Sequence, residues 1–243
     1  MKKAVNVFWA LAMFFCITII NEQLFIRQSV LPQFPVGYIR EHFWIRMYIH
    51  HLGQMLLAAA TIVLILKGRL KDYGLNSANS SLSLKYIRWF FLVYGGITVL
   101  NFLPNFLAKR PESVGFSPTP FNVLGWFTFQ GLMSGTSEEI FFRGLLQTFL
   151  GRAWKNSIRI LKLEIPAAGI IAAFIYTFAH VEINFKPFAL NYNVAQILAA
   201  FFLGIFFSIA YDKTKSLLAP IIMHNYANFI MYLFGYVTII LFS

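Results

Sequence analysis

The sequence predicts an all-α fold, a polytopic membrane bundle of seven transmembrane helices. Three observations predict it: a shortage of charge, a series of charge-free windows of span length, and a one-sided distribution of positive residues. Of 243 residues, 58% are hydrophobic and 12% charged, with a mean hydropathy of +0.66. Soluble domains carry about 25% charged residues, so this chain has too few polar side chains to coat a globule. The single cysteine, Cys16, sits inside an apolar run, which excludes a disulfide framework and a zinc site built from cysteines.

The charge-free windows are Ala4–Asn21, Met47–Leu66, Trp89–Ala108, Ser113–Ser137, Ile165–Val181, Pro187–Tyr211 and Ser216–Ser243, with 18, 20, 20, 25, 17, 25 and 28 residues. Crossing the hydrocarbon takes roughly 20 residues. The first window follows Lys2 and Lys3 as a signal peptide would. However, Ile19-Ile20-Asn21-Glu22 offers no small-x-small cleavage site, so the segment is expected to stay as an anchor. The last window is long enough to break near Asn228 and supply an eighth span. The chain is expected to form one integral-membrane domain, with residues 1–112 free of motifs and residues 113–243 bearing them. Between spans, Asn76 to Ser83 and the proline-broken stretch Lys109 to Pro120 are expected to be loops. Trp154 to Leu163, with basic residues among Ile and Leu, is expected to lie on the inner membrane surface. No repeat, heptad or glycine-rich phosphate loop is present.

With the N-terminus in the cytoplasm, 14 of the 20 Lys and Arg residues fall on the inner side and 6 on the outer, among the latter Lys186. That is the bias of an inserted protein. The net charge of +11 is thereby accounted for by topology, with the lipid bilayer as partner and no role for nucleic acid. Trp44, Trp89 and Trp154 sit at window edges, where interfacial anchors belong.

Ionisable groups at membrane depth cost about 2.5–3.5 kcal/mol each and mark functional sites by default. Three places qualify. In Ser137-Glu138-Glu139-Ile140-Phe141-Phe142-Arg143, Glu139 and Arg143 stand i, i+4 in the favourable order for a helical ion pair. Glu138 points about 100° away, without a local cation, and is left for chemistry as a general base. The plainer alternative is that both acids mark a membrane–water boundary. His180 closes the fifth window, where an interfacial role is the simple expectation. His224 and Asn228 stand i, i+4 on one face, as either catalytic donors or helix–helix hydrogen-bonding groups. His42, His50 and His51, at the start of the second span, read as interfacial residues. Glu182, beside His180, is an alternative acid, and Asp212 reads as a solvated loop residue.

The pattern EExxxR at Glu138, Glu139 and Arg143, then His180 ending an aromatic-rich helix, then HxxxN at His224 and Asn228, resembles the CPBP family. This family comprises CAAX-prenyl proteases and bacteriocin-processing or immunity proteins, also called Abi. The resemblance covers roughly Gly131 to Phe229, and Tyr176 stands where the second motif usually has Phe. It implies an intramembrane endopeptidase of a bacterial-type cell membrane. Its substrate would be a membrane-associated protein or peptide: a CAAX-type protein, a pheromone or a bacteriocin-like peptide. By the same resemblance Glu138 and His180 would activate a water, His224 and Asn228 would stabilise the oxyanion, and Glu139 and Arg143 would support them. The family has also been described as zinc-dependent, with Glu138, His180 and His224 as ligands; the expectation here is a mechanism without cofactor. The rival from another class is a non-catalytic immunity protein or a transporter. Depth poses a problem. Fifteen residues from Pro166 to His180 rise about 21 Å, which would carry His180 away from Glu138 unless that helix starts recessed or Asn184 to Asn193 re-enters.

Overall fold

The computed structural model describes residues 2–27, 32–111, 117–185 and 187–242. Ser113, Lys186 and Ser243 lie outside the described residues. Among the described residues the regular elements are helices apart from two short antiparallel hairpins.

Helix α1 (Lys2–Ile20) runs on as a π-helical stretch, Asn21–Arg27. A short α2 (Val36–Glu41) precedes α3 (Phe43–Ala60), which continues in π form through Thr61–Ile65. Helix α4 spans Ser80–Leu107. The next helical run, α5, covers residues 120–151 without interruption: Pro120–Thr128, the π-helical Phe129–Ser134, Gly135–Glu139, the π-helical Ile140–Gln147, and Thr148–Gly151. It opens with Pro120 at the first turn and the Thr119 hydroxyl accepting from the Asn122 amide, a start signal written in the sequence. Helices α6 (Ala167–Phe178), α7 (Val194–Thr214) and α8 (Leu218–Phe242) complete the bundle.

Among the described residues, five helical segments are long and apolar enough to cross a membrane: Lys2–Arg27, Phe43–Ile65, Ser80–Leu107, Val194–Thr214 and Leu218–Phe242. The remaining two of the seven expected crossings fall on different objects. The fourth window lies largely on α5, whose apolar run is interrupted by Glu138, Glu139 and Arg143. The fifth contains α6, which has 12 residues and is about 18 Å long, shorter than the hydrocarbon is thick. The last window forms one helix, so no break at Asn228 supplies an eighth span.

Two stretches differ in kind from the sequence reading. Trp154 to Leu163, expected as a surface segment, enters a hairpin in which β1 (Ser157–Ile160) pairs with β2 (Leu163–Pro166). Asn184 to Asn193, invoked as a re-entrant loop, is mostly a second hairpin, β3 (Glu182–Phe185) with β4 (Phe188–Asn191). Asp212 lies in the last turn of α7 rather than in a loop, paired with Lys215 at 2.6 Å.

Helix α5 is the axis of the bundle, packed against α3, α6 and α8, while α6 lies along α7 and α8 along α4. Its apolar residues Phe141, Phe142, Leu145, Leu146 and Leu150 pack with Phe14 of α1, Ala58 of α3 and Ala172 of α6. A second core joins Ile87 and Phe90 of α4, Phe207 and Ala210 of α7, and Met223 and Ala227 of α8. Lipid tails are as apolar as these side chains. Close packing and buried polar contacts, rather than expulsion of apolar surface from water, therefore hold such helices together.

Candidate active site

The buried centre of α5 carries the acid pair. Glu139 and Arg143 are both 0% exposed, with Arg143 Nη1 3.1 Å from Glu139 Oε1. Burial of charge is costly unless it is paired, and the guanidinium has several partners, although its Nε and Glu139 Oε2 make no hydrogen bond. Nη2 donates to the Gly204 carbonyl of α7 at 2.9 Å, and the group lies 4.8 Å over the Tyr176 ring and 5.7 Å over Phe207. Gly204 permits that approach: a Cβ there would stand 3.1 Å from Arg143 Nη2.

Glu139 is not reserved for Arg143, as the helical spacing alone suggested. The same Oε1 accepts from Nδ1 of His224, on α8, at 2.7 Å. That bond fixes the imidazole and leaves Nε2 to face the other acid, 3.6 Å from Glu138 Oε2, with the Tyr176 hydroxyl 3.3 Å away. Glu138 is 16% exposed, and its Oε2 is buried without a hydrogen bond from the protein. Its other oxygen, Oε1, lies 3.9 Å from Nε2 of His51.

His180 is half-buried just past the end of α6. Its Nδ1 donates to the Tyr176 carbonyl at 2.9 Å, and its ring packs edge-on against Tyr176, with centroids 4.7 Å apart. The ring is therefore folded back against Tyr176, and its Nε2 is the nitrogen left over. The depth problem is eased by a helix that ends at Phe178 and a side chain that turns back.

Asn228 sits one turn beyond His224 and donates Nδ2 to the Ser134 hydroxyl of α5 at 3.1 Å. Its neighbour Asn225, not singled out in the sequence, pins the crossing of α5 and α8. Its Oδ1 accepts from the Gly135 amide at 2.8 Å, and its Nδ2 donates to the Thr136 hydroxyl at 3.1 Å. Gly135 lies so close to α8 that a Cβ would stand 2.8 Å from both the Asn225 amide nitrogen and His224 Cβ. Helix α8 is thereby held against the residues that precede Glu138.

The interfacial reading of the N-terminal histidines needs correction at His51. It is 4% exposed, and Nδ1 lies 2.5 Å from the Ser137 hydroxyl. His42 and His50 serve locally, the first with Nδ1 2.6 Å from Asn122 Oδ1 and the second bound to Asn21. Glu182, the alternative acid, is exposed on β3.

The zinc alternative can be tested on the donors themselves. Nδ1 of His224 is engaged by Glu139, and Nδ1 of His180 by a backbone carbonyl. Among the described residues no three His, Cys, Asp or Glu side chains converge as a set that could hold a metal ion. In both rings Nε2 stays outside those two bonds, and a carboxylate or carbonyl on the other nitrogen is how a metal-binding imidazole is commonly held.

An apolar bundle with paired acids and imidazoles at its centre defines a multi-pass membrane protein with a buried polar site. Residues 120–230 match the family model described as type II CAAX prenyl endopeptidase Rce1-like. The match agrees with the resemblance that the three motifs carry, and that family implies hydrolysis of peptide bonds. No curated protein and no solved structure matches the chain.

Proposed function

We propose that this protein is an intramembrane endopeptidase that cleaves a membrane-associated protein or peptide with a water activated by Glu138. The observation that carries the reading is the pair of contacts around His224. Nδ1 is bound to Glu139, while Nε2 faces a Glu138 oxygen that no protein group satisfies. Glu139 Oε2 is likewise without a hydrogen bond, but of the two acids Glu138 is the one with access, 16% exposed against 0%. An oxygen left open beside an anchored imidazole suits a reacting water and carbonyl.

Charge arithmetic supports the assignment of roles. Glu138 and Glu139 as carboxylates, with Arg143 and His224 as cations, form a set of zero net charge, which a low-dielectric interior favours. An imidazolium at position 224 has Nε2–H to offer, with its positive charge balanced by Glu139 as a triad carboxylate balances its histidine. Glu138 takes a proton from water while His180, whose Nδ1–H is committed, accepts from the same water through Nε2. The water oxygen bonds to the scissile carbonyl carbon. His224 Nε2–H and the second amide hydrogen of Asn228 then stabilise the oxyanion. Collapse of the tetrahedral intermediate breaks the C–N bond, and the leaving amine receives the proton held by Glu138.

The substrate classes open to this centre are a CAAX-type protein, a pheromone or a bacteriocin-like peptide, and a bacterial-type cell membrane is its proposed location. The test compares peptides from membranes containing wild-type protein with those from membranes containing Glu138→Gln. Peptides released only by the wild type support the protease. Identical peptide sets with equal insertion would leave a non-catalytic scaffold, such as an immunity protein.

A further inference from the structure

We propose that His51, on α3 and outside the residues that carry the motifs, is a positioning residue for Glu138. It turns an Nε2–H toward Oε1 and thereby fixes the carboxylate that takes the proton from water. The inference rests on the protease reading above and adds a member to its site from a part of the chain that the motifs leave silent.

The geometry bears on one side of Glu138. Oε2 faces His224 of α8 at 3.6 Å, and Oε1 faces His51 of α3 at 3.9 Å, so the carboxylate stands between imidazoles from two helices. A separation of 3.9 Å exceeds a direct hydrogen bond and suits one water bridging from the side, about 2.8 Å from each atom. Nδ1 of His51 lies 2.5 Å from the hydroxyl of Ser137, the residue immediately before Glu138, so the ring is tied to the turn that carries the carboxylate.

The proton count favours an N–H on the Glu138 side. The Ser137 hydroxyl has one hydrogen and two neighbours, His51 Nδ1 at 2.5 Å and the Ser134 carbonyl at 3.2 Å. If the hydrogen goes to Nδ1, the neutral ring carries its proton on Nε2, toward Glu138. If it goes to Ser134, Nδ1 must be the donor. A neutral ring would then set an Nε2 lone pair toward the carboxylate, and the bridging water would have to donate to both, leaving the ring no N–H with which to hold Oε1. A charged His51 would upset the neutral set formed by Glu138, Glu139, Arg143 and His224. The neutral Nε2–H form, held by the Ser137 hydroxyl, avoids both costs. Phe129, edge-on to the ring with centroids 5.0 Å apart, limits its rotation.

The two ring nitrogens can be replaced separately. Glutamine places an N–H near the position of Nε2, and asparagine places a polar group near that of Nδ1. The experiment uses the full chain in membranes. Its reporters are the peptides that the wild type releases and Glu138→Gln does not. His51→Ala is expected to lower kcat roughly 10²-fold, the cost of misplacing a reacting group by about 1 Å, with KM unchanged. His51→Gln should recover most of that loss, and His51→Asn should not. Melting in detergent is followed for every variant.

Three results overturn the proposal: full turnover in His51→Ala, rescue by Asn instead of Gln, or losses in Ala and Gln that match and follow their melting temperatures. If Glu138→Gln releases the same peptides as the wild type, the protease reading itself falls and takes this inference with it. If Glu138→Gln is inactive while His51→Ala is not, only the positioning role falls.

Discussion

Glu139 and His224 stand 85 residues apart in sequence and 2.7 Å apart in space, through a bond from Nδ1 to a carboxylate oxygen that also holds Arg143. One carboxylate thus serves the stability of α5 and the orientation of the imidazole on α8.

Glu139→Ala should show both effects. Arg143 would keep its charge without a counter-ion, and breaking a buried pair costs about 3–5 kcal/mol. The amount of folded protein and its melting temperature in detergent should fall sharply. Turnover per folded molecule should fall as well, because His224 is released. A variant that is as stable as the wild type would contradict the buried ion pair.

His224 and Asn228 act on one oxyanion in the proposed mechanism. Asn228→Ala should lower kcat by about 10²–10³-fold, the usual cost of one donor, with KM and melting temperature nearly unchanged. His224→Ala should lower kcat likewise, here with a lower melting temperature because Glu139 loses a partner, and the double variant should lose less than the product of the two effects on kcat. A large rise in KM at preserved kcat would place the pair in substrate binding instead.

Gly135→Ala tests the crossing that assembles the site. The added methyl would meet the Asn225 amide nitrogen and His224 Cβ, both 2.8 Å away. Neither backbone nor Cβ can move without shifting α8. Overpacking of this kind costs typically 1–3 kcal/mol. Melting should drop, and kcat should fall further than in a control such as Gly96→Ala, where a Cβ meets nothing within 4 Å.

Chelation bears on the choice of mechanism. Exhaustive EDTA or phenanthroline treatment should leave cleavage intact, and metal analysis should find no stoichiometric zinc. Zinc at one equivalent, with activity lost on its removal and restored by its return, would reverse the assignment of Glu138 as base.

The parts of the site that could be read from the sequence are the local ones. Glu139 and Arg143 are four residues apart on one helix, so their pairing follows from helical geometry. Glu139 with His224 depends on how α5 crosses α8, and that crossing is set by Gly135 and Asn225, neither conspicuous in a one-dimensional pattern. His51 carried no signal, since a histidine near a window edge looks the same whether it meets lipid headgroups or a buried acid. The first hairpin was more legible than it looked. Ile158-Arg159-Ile160 and Leu163-Glu164-Ile165 alternate with the period of strands, and a count of charged residues alone passed over that alternation. The same count gave full spans to windows that fold as α5, with its buried charges, and as the 12-residue α6.

The contacts around Glu138 draw on α3, α5, α6 and α8, and those helices are synthesised far apart in time. Arg143 meets its counter-ion within the same helix turn, so α5 need not enter the bilayer with a naked charge. His224 is translated 86 residues after Glu138. Until α8 is laid against Gly135, Glu138 has no imidazole at Oε2. In the proposed mechanism the centre is therefore incomplete until α8 is in place.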